Sequence, residues 1–216
     1  MKNKGLTVVF GFLVITLFFG SQVMAAYGVK SGIMLSKMDI GSDSTNGSWS
    51  VLGWRADAFY SLSLSPSISF KPGITFAMER AKYFETPGRQ HEKVSIFFIK
   101  TPFLMGFNLP GDQVQMFIGP YIAYRLGKEK YSNPDFTPFN AKTRLGVGMS
   151  LGLHFNLPIK FRGSLRSFIE FQVDLGITDF KRTEPLEVDG YTPGTYYKEG
   201  AYYKSQNISF LVGFTF

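Results

Sequence analysis

Four residues in the second half of the chain have types that could perform catalysis. Ser150 and His154 lie four residues apart in one segment, and Glu170 and Asp174 lie four residues apart in the next. A serine, a histidine and a carboxylate can together carry out nucleophilic acyl transfer. The alternative is a histidine that is hydrogen-bonded by polar neighbours. The choice between them depends on which face of its strand His154 occupies.

Other catalytic and metal-binding patterns are weak. Glu170 and Asp174 share a face, but four residues along a strand span ~13 Å, which exceeds the carboxylate separation used in glycoside hydrolysis. His91 has no second histidine at ligand spacing, and the chain has no cysteine. A glycine-rich phosphate loop and a dinucleotide fingerprint are both absent from the sequence. We therefore expect no catalytic residue, no metal and no cofactor.

The first residues indicate export. Residues 1–4 are basic, residues 6–20 are apolar, and Val23 and Ala25 have the small or aliphatic side chains of a cleavage site. These features predict a signal peptide over residues 1–25 and a mature domain over residues 26–216. A membrane anchor is the alternative, but the apolar core is short and no basic stop follows it.

The charge of the mature chain is mild. Removing the signal peptide leaves 21 basic and 16 acidic residues, which are dispersed along the sequence. This balance argues against nucleic acid as a partner. An exported chain without cysteine has no disulfides to stabilise it, so its stability must come from hydrogen-bonded sheet and from burial in an apolar medium.

Hydrophobic residues alternate with polar or small residues along most of the mature chain. The clearest case is residues 144–157, where the odd positions are Leu, Val, Met or Phe and the even positions are polar or Gly. A period of two predicts a β-strand. Eight such segments are present, three of them fainter: 27–38, 50–64, 68–79, 93–109, 114–125, 144–157, 169–178 and 208–216.

The connections between these segments alternate in length. Short connections at 65–67, 110–112 and 158–166 alternate with long ones at 39–48, 82–92, 128–142 and 181–204. Short turns at one end and long loops at the other are typical of outer-membrane barrels. The sequence therefore predicts an all-β fold, an eight-stranded antiparallel up-and-down transmembrane β-barrel with both termini in the periplasm.

The polar face carries charges from several separate strands, whereas the apolar face is uniformly Leu, Ile, Val, Phe and Met. A soluble barrel would bury the apolar face, but a membrane barrel turns it towards lipid. His154 then points into the lumen, which favours a hydrogen-bonded histidine over a lipid-modifying site. The predicted polar network of the lumen is Lys30, Arg55, Asp57, Lys71, Glu79, Lys100, Arg125, Arg144, His154, Glu170 and Asp174.

The last long loop is rich in tyrosine. Exposed aromatic residues near a polar rim can bind a partner or a glycan. They can also form the aromatic girdle at the outer interface, which is the favoured interpretation. The candidate loop-binding residues are Tyr191, Tyr196, Tyr197, Tyr202 and Tyr203.

Several segments resemble the PorT-like outer-membrane β-barrel family of the Bacteroidetes type. They are YGVKSG at 27–32, LSLSPSISFKPGI at 62–74, IKTPFL at 99–104 and FIGPYI at 117–122. The family more usually has a glutamate where Lys100 stands. We expect a non-enzymatic outer-membrane protein that is structural or binds a partner. The resemblance implies that it is an accessory to protein secretion.

The C-terminal residues 214–216 resemble the aromatic signal that the barrel-assembly machinery reads. The expected partners are therefore outer-membrane lipid, that machinery during biogenesis, and a protein bound by the extracellular loops or the periplasmic turns. Three alternatives stay open on the sequence: a small channel, a lipid-modifying outer-membrane enzyme, and a soluble exported lipocalin-like binder.

Overall fold

A computed structural model describes residues 25–41, 49–83, 92–111, 113–131, 144–160, 165–178, 180–181 and 202–216. These residues form β1 Ala25–Gly41, β2 Trp49–Ser63, β3 Ile68–Tyr83, β4 Glu92–Asn108, β5 Val114–Tyr131, β6 Leu145–Lys160, β7 Arg166–Gly176, β8 Phe180–Lys181 and β9 Tyr202–Thr215. Within those ranges, no helix is long and apolar enough to cross a membrane.

The strands form one closed antiparallel barrel. β1 to β7 pair in chain order, and β9 pairs with β7 on one side and β1 on the other. The two-residue β8 pairs with the first residues of β9, just beyond the part of β9 that pairs with β7. The eight long strands confirm the predicted fold class.

Several strands extend further than the apolar alternation predicts. β9 begins at Tyr202 instead of residue 208, and β5 continues to Tyr131. The added residues are largely polar or aromatic, which hides the two-residue period. Their backbones nevertheless continue the ladder, since Tyr202 pairs with Gly41. Hydrogen bonding between backbones thus prolongs the wall where side-chain hydrophobicity no longer signals it.

Successive side chains alternate between the lumen and the outer surface, as the two-residue period of the sequence predicts. In β9, Ile208 is 58% exposed and Phe210 39%, whereas Ser209 and Leu211 are fully buried. Met78 occupies an outward-facing position of β3 but is only 8% exposed. It pairs with Trp54 and Phe97, whose large side chains flank it on the outer wall. The outer surface is therefore a continuous apolar band.

Large aromatic rings fit into the narrow lumen because each lies over a glycine of the neighbouring strand. A Cβ atom built on Gly28 would be 2.2 Å from Cζ of Phe59, so a side chain there would overlap the ring. The same register relationship recurs around the barrel. The aromatic and glycine partners are Phe59 and Gly28, Phe117 and Gly152, Tyr121 and Gly148, and Phe168 and Gly213.

Among the described residues, two glycines have backbone conformations that other residues rarely adopt. Gly111 has φ of 98° in the turn between β4 and β5. Gly127 has φ of 67° in β5, where the register shifts opposite Ser95 and Phe97. Positive φ is accessible to glycine because it lacks a Cβ atom. The irregularity accommodates two additional residues of β5 at the long-loop end of the barrel.

Candidate functional site

The barrel lumen contains nearly all of the charged residues that the sequence assigned to it. Ten of the eleven are buried, between 0% and 8% exposed: Lys30, Arg55, Asp57, Lys71, Glu79, Lys100, Arg125, His154, Glu170 and Asp174. Arg144 differs, because it precedes β6 and is exposed at the rim. The two-residue period assigns a side chain to a face of the strand, but it does not show how far along the barrel axis the lumen extends.

Both carboxylate oxygens of Asp174 accept hydrogen bonds in the lumen. One oxygen, Oδ2, accepts hydrogen bonds from Nη1 of Arg55 at 3.1 Å and Nζ of Lys100 at 3.2 Å. The other, Oδ1, accepts from Oγ of Ser150 and Nε2 of Gln172, both at 2.7 Å. Such complete pairing is required because a buried charge without partners costs several kcal/mol. Asp174 on β7 thus connects three other strands.

A second group of ion pairs lies closer to the end with the short turns. Lys30 contacts Glu170 directly and lies 3.5 Å from Oδ2 of Asp57. Arg55 binds the other oxygen of Asp57 at 3.0 Å, which connects this group to Asp174. The Lys30 ammonium also lies 5.7 Å from the ring centre of Phe59 and 5.6 Å from that of Phe117.

A third group lies towards the long-loop end. Lys100 binds Oε1 of Glu79 at 2.8 Å, and Asn207 donates to the same oxygen at 2.8 Å. Ser205 donates to the other oxygen at 2.5 Å. The Lys100 ammonium lies 4.9 Å from the ring centre of Tyr121. Because Lys100 also binds Asp174, the three groups form one hydrogen-bonded network across the lumen.

His154 and Ser150 engage different carboxylates. His154 is hydrogen-bonded through Nδ1 to Glu170 at 3.3 Å and through Nε2 to Asn156 at 3.2 Å. Its ring stacks on Phe168 with a centre-to-centre distance of 4.2 Å. Both nitrogens of His154 are therefore occupied, whereas Ser150 donates to Asp174. A nucleophile must contact its base for acyl transfer, and these two side chains are not arranged that way.

Two small cavities lie beside these side chains. A cavity of about 20 Å³ borders Lys30, Lys71 and Phe117. A second cavity of about 10 Å³ borders Glu79 and Tyr121. Each has room for at most about one water molecule. Among the described residues, no group of three or more His, Cys, Asp or Glu could hold a metal ion.

Several network members were not predicted as site residues. Ser205 and Asn207 bind Glu79, but the strand containing them was predicted to begin at residue 208. Extending the period of β9 towards its N-terminus would have placed both in the lumen. Thr75 is uncharged, but its Oγ1 accepts a hydrogen bond from Nη2 of Arg55 at 3.1 Å. Its position between Gly73 and Ala77 on the lumen face was the available signal.

The predicted loop-binding residues fall at the edge of the structure or beyond it. Tyr191, Tyr196 and Tyr197 lie outside the described residues. Tyr202 and Tyr203 are the first residues of β9, where their backbones pair with Lys181 and Phe180. These positions are at the long-loop end of the barrel.

A family model described as an outer membrane protein beta-barrel domain matches residues 21–182. The chain belongs to this outer-membrane β-barrel family. The closed barrel is also similar to OprG from Pseudomonas aeruginosa, with a TM-score of 0.54, 10% identity, and coverage of 90% of this chain and 97% of that one. The barrel is also similar to Neisserial surface protein A, with a TM-score of 0.46, 13% identity, and coverage of 87% of this chain and 97% of that one. A comparison with curated proteins finds no match.

Family membership places this barrel in the bacterial outer membrane, where its apolar band contacts lipid. This location confirms the inside-out interpretation of the sequence, with charged side chains in the lumen and aliphatic ones outside. A soluble lipocalin-like binder is excluded. The similarity to OprG concerns the fold alone, because the two chains are only 10% identical.

Proposed function

We propose that this outer-membrane barrel is a non-enzymatic protein that is structural or binds a protein partner through its extracellular loops or periplasmic turns. The observation that supports this proposal is the network around Asp174, which connects strands on different sides of the lumen. Side chains that neutralise one another fill the interior, so the lumen provides rigidity. The surfaces left for recognition are then the connections at the two ends.

The resemblance to the PorT-like family supports a more specific proposal, an accessory role in protein secretion. Three of the resembling segments lie in strands, at 27–32 in β1, 99–104 in β4 and 117–122 in β5. The proposal includes export by a signal peptide cleaved after Ala25 and assembly by the barrel machinery. Residues 1–24 lie outside the described residues.

Conductance in planar bilayers tests the structural interpretation of the lumen. The purified barrel should give no reproducible single-channel steps, because the ion-paired network crosses the lumen and the described cavities beside it are small. A general porin in the same membrane is the detection control. Ion-selective steps from the wild-type barrel would instead support the small channel.

A gene deletion tests the secretion role and the absence of catalysis. Loss of the protein should reduce the amount of secreted protein, and a copy lacking residues 184–199 of the last long loop should fail to restore it. Unchanged secretion would contradict the accessory role. The mass spectrum of lipid A should be the same with and without the protein, and a modification that disappears in His154→Ala would contradict the non-enzymatic proposal.

A further inference from the structure

Three neighbouring strands each have a proline within the wall. Pro72 lies in β3, Pro102 in β4 and Pro120 in β5. Pro72 pairs with Phe103, which follows Pro102 in the sequence. Pro102 pairs with Tyr121, which follows Pro120. The three prolines therefore lie side by side at one level of the barrel, although proline is unusual in strands that are paired on both sides because it lacks an N–H.

The pairing between β3 and β4 is interrupted where Gly73 faces Pro102. The backbone N–H of Asn108 donates to the carbonyl of Ser67, and hydrogen-bonded rows recur at every second residue of an antiparallel pair. Gly73 and Pro102 occupy such a row, but proline has no N–H, so the carbonyl of Gly73 receives no ladder hydrogen bond. By contrast, the pairing of β5 with β6 is continuous over residues 114–124 of β5. The hydrogen bonding of the wall is therefore weakened locally beside Pro102.

A cavity lies on the lumen side of this interruption. Its volume is about 20 Å³, and both Gly73 and Pro102 border it. The next row, in which Ile74 faces Thr101, is also missing from the pairing. Both of these side chains are on the lipid side, where Ile74 is 61% exposed and Thr101 is half-buried. The segment of wall that separates the cavity from lipid is therefore the segment with incomplete hydrogen bonding.

Two polar groups that border the cavity lack hydrogen-bond partners. Lys71 is 8% exposed, and it makes no hydrogen bond or ion pair with the residues that the structure describes. Its ammonium lies 5.8 Å from the centre of the Phe59 ring. Within the same described part of the chain, Oδ2 of Asp57 accepts no hydrogen bond, although the ammonium of Lys30 lies 3.5 Å away. Because buried polar groups without partners are costly, the cavity offers a ligand one unused donor and one unused acceptor.

We propose that this cavity binds the hydroxyl group of a small apolar molecule, an alcohol or a phenol, that enters from lipid through the wall between β3 and β4. A hydroxyl donates one hydrogen bond and accepts others, so it can donate to Asp57 and accept from Lys71. Its oxygen is similar in size to the one water molecule for which the cavity has room. The apolar body of the ligand extends past Gly73 and Pro102 into lipid. This site goes beyond the proposed function, because it lies in the wall and the lumen and not at the connections.

Photo-crosslinking of the folded full-length mature barrel in zwitterionic detergent tests this site. The probe is an alkylphenol that carries a diazirine, and mass spectrometry should locate its adduct in residues 71–75 of β3 or 102–104 of β4, which include residues that border the cavity. Para-hexylphenol should compete with the probe about tenfold more strongly than hexylbenzene, which has the same apolar body without the hydroxyl. Equal competition by the two compounds would mean that the cavity holds only water, and it would overturn the proposal.

Two variants with matched controls test the contact and the entrance separately. Lys71→Met removes the donor and should weaken the binding of para-hexylphenol about tenfold, because a hydrogen bond to a charged group is lost. Lys37→Met, at an exposed position of β1, should change the affinity by less than about twofold. Pro102→Ala supplies the missing N–H between β3 and β4 and should reduce the yield of adduct several-fold. Pro120→Ala supplies an N–H one strand pair away, at a residue that does not border the cavity, and should leave the yield unchanged.

Two results with these variants would contradict the proposal. Equal losses of affinity in Lys71→Met and Lys37→Met would mean that no hydroxyl contacts the Lys71 ammonium. Equal yields of adduct in Pro102→Ala and Pro120→Ala would mean that the ligand does not enter beside Pro102. The competition between the two compounds uses the wild-type barrel, so it decides the proposal even if a variant does not fold.

Discussion

The central prediction concerns Asp174, because its charge is shared by two cations. Asp174→Asn preserves the shape of the side chain and removes the charge that Arg55 and Lys100 both contact through Oδ2. Breaking a buried ion pair by removing one partner costs about 3–5 kcal/mol. Arg55 keeps Asp57 and Lys100 keeps Glu79, so we expect the lower end of that range, about 3 kcal/mol.

A double-mutant cycle with Lys100→Met separates the pair from the rest of the network. The double variant removes both members of the ion pair, so it leaves less uncompensated charge than the two single variants together. We expect it to be about 1–3 kcal/mol more stable than additivity predicts. Lys71→Met is the matched control. The Lys71 ammonium lies 5.8 Å from the centre of the Phe59 ring and makes none of the contacts of Asp174, so its effect should add to that of Asp174→Asn within about 0.5 kcal/mol.

The assay is reversible urea unfolding of the barrel from lipid vesicles. The chain has two tryptophans, Trp49 and Trp54, both in β2, and their fluorescence reports on the wall. The shift in gel mobility between unheated and heated samples reports closure of the barrel independently. If Asp174→Asn and Lys100→Met prove additive, or if the Lys71 control shows the same coupling, then the ion pair does not contribute to stability as its geometry implies.

Two further predictions concern the wall. Leu151→Arg, at a lipid-facing position, should destabilise the barrel by ~2–4 kcal/mol and impair assembly. The lumen substitution Ser150→Thr should have only a mild effect on stability. Equal unfolding free energies for the two variants would contradict the assignment of the faces. Gly28→Ala places a Cβ atom against Phe59 and should cost about 1–3 kcal/mol, measured by the same urea assay. That cost should largely disappear in a Phe59→Ala background, and its persistence there would mean that the ring is not what excludes a side chain.

The faces of the strands were predictable because alternation is a local property. The period of two in residues 144–157 identifies β6 and places Ser150 and His154 in the lumen without reference to any other strand. Depth along the axis was not predictable in the same way, as the exposed Arg144 shows. The beginning of β9 was also missed, because Tyr202 to Asn207 are paired through their backbones and lack an apolar pattern.

The sequence alone determined the class of this protein: the number of long strands, the face that contacts lipid, and the residue types that must neutralise one another inside. Only the tertiary structure decided which of them meet. Lys30 and Glu170 are 140 positions apart and lie on β1 and β7, which are separated in the wall by β9. Their contact depends on barrel closure and on the stagger of every strand pair, and these are properties of the whole ladder. A two-residue period specifies the face that a side chain occupies but not the partner that it finds across the lumen.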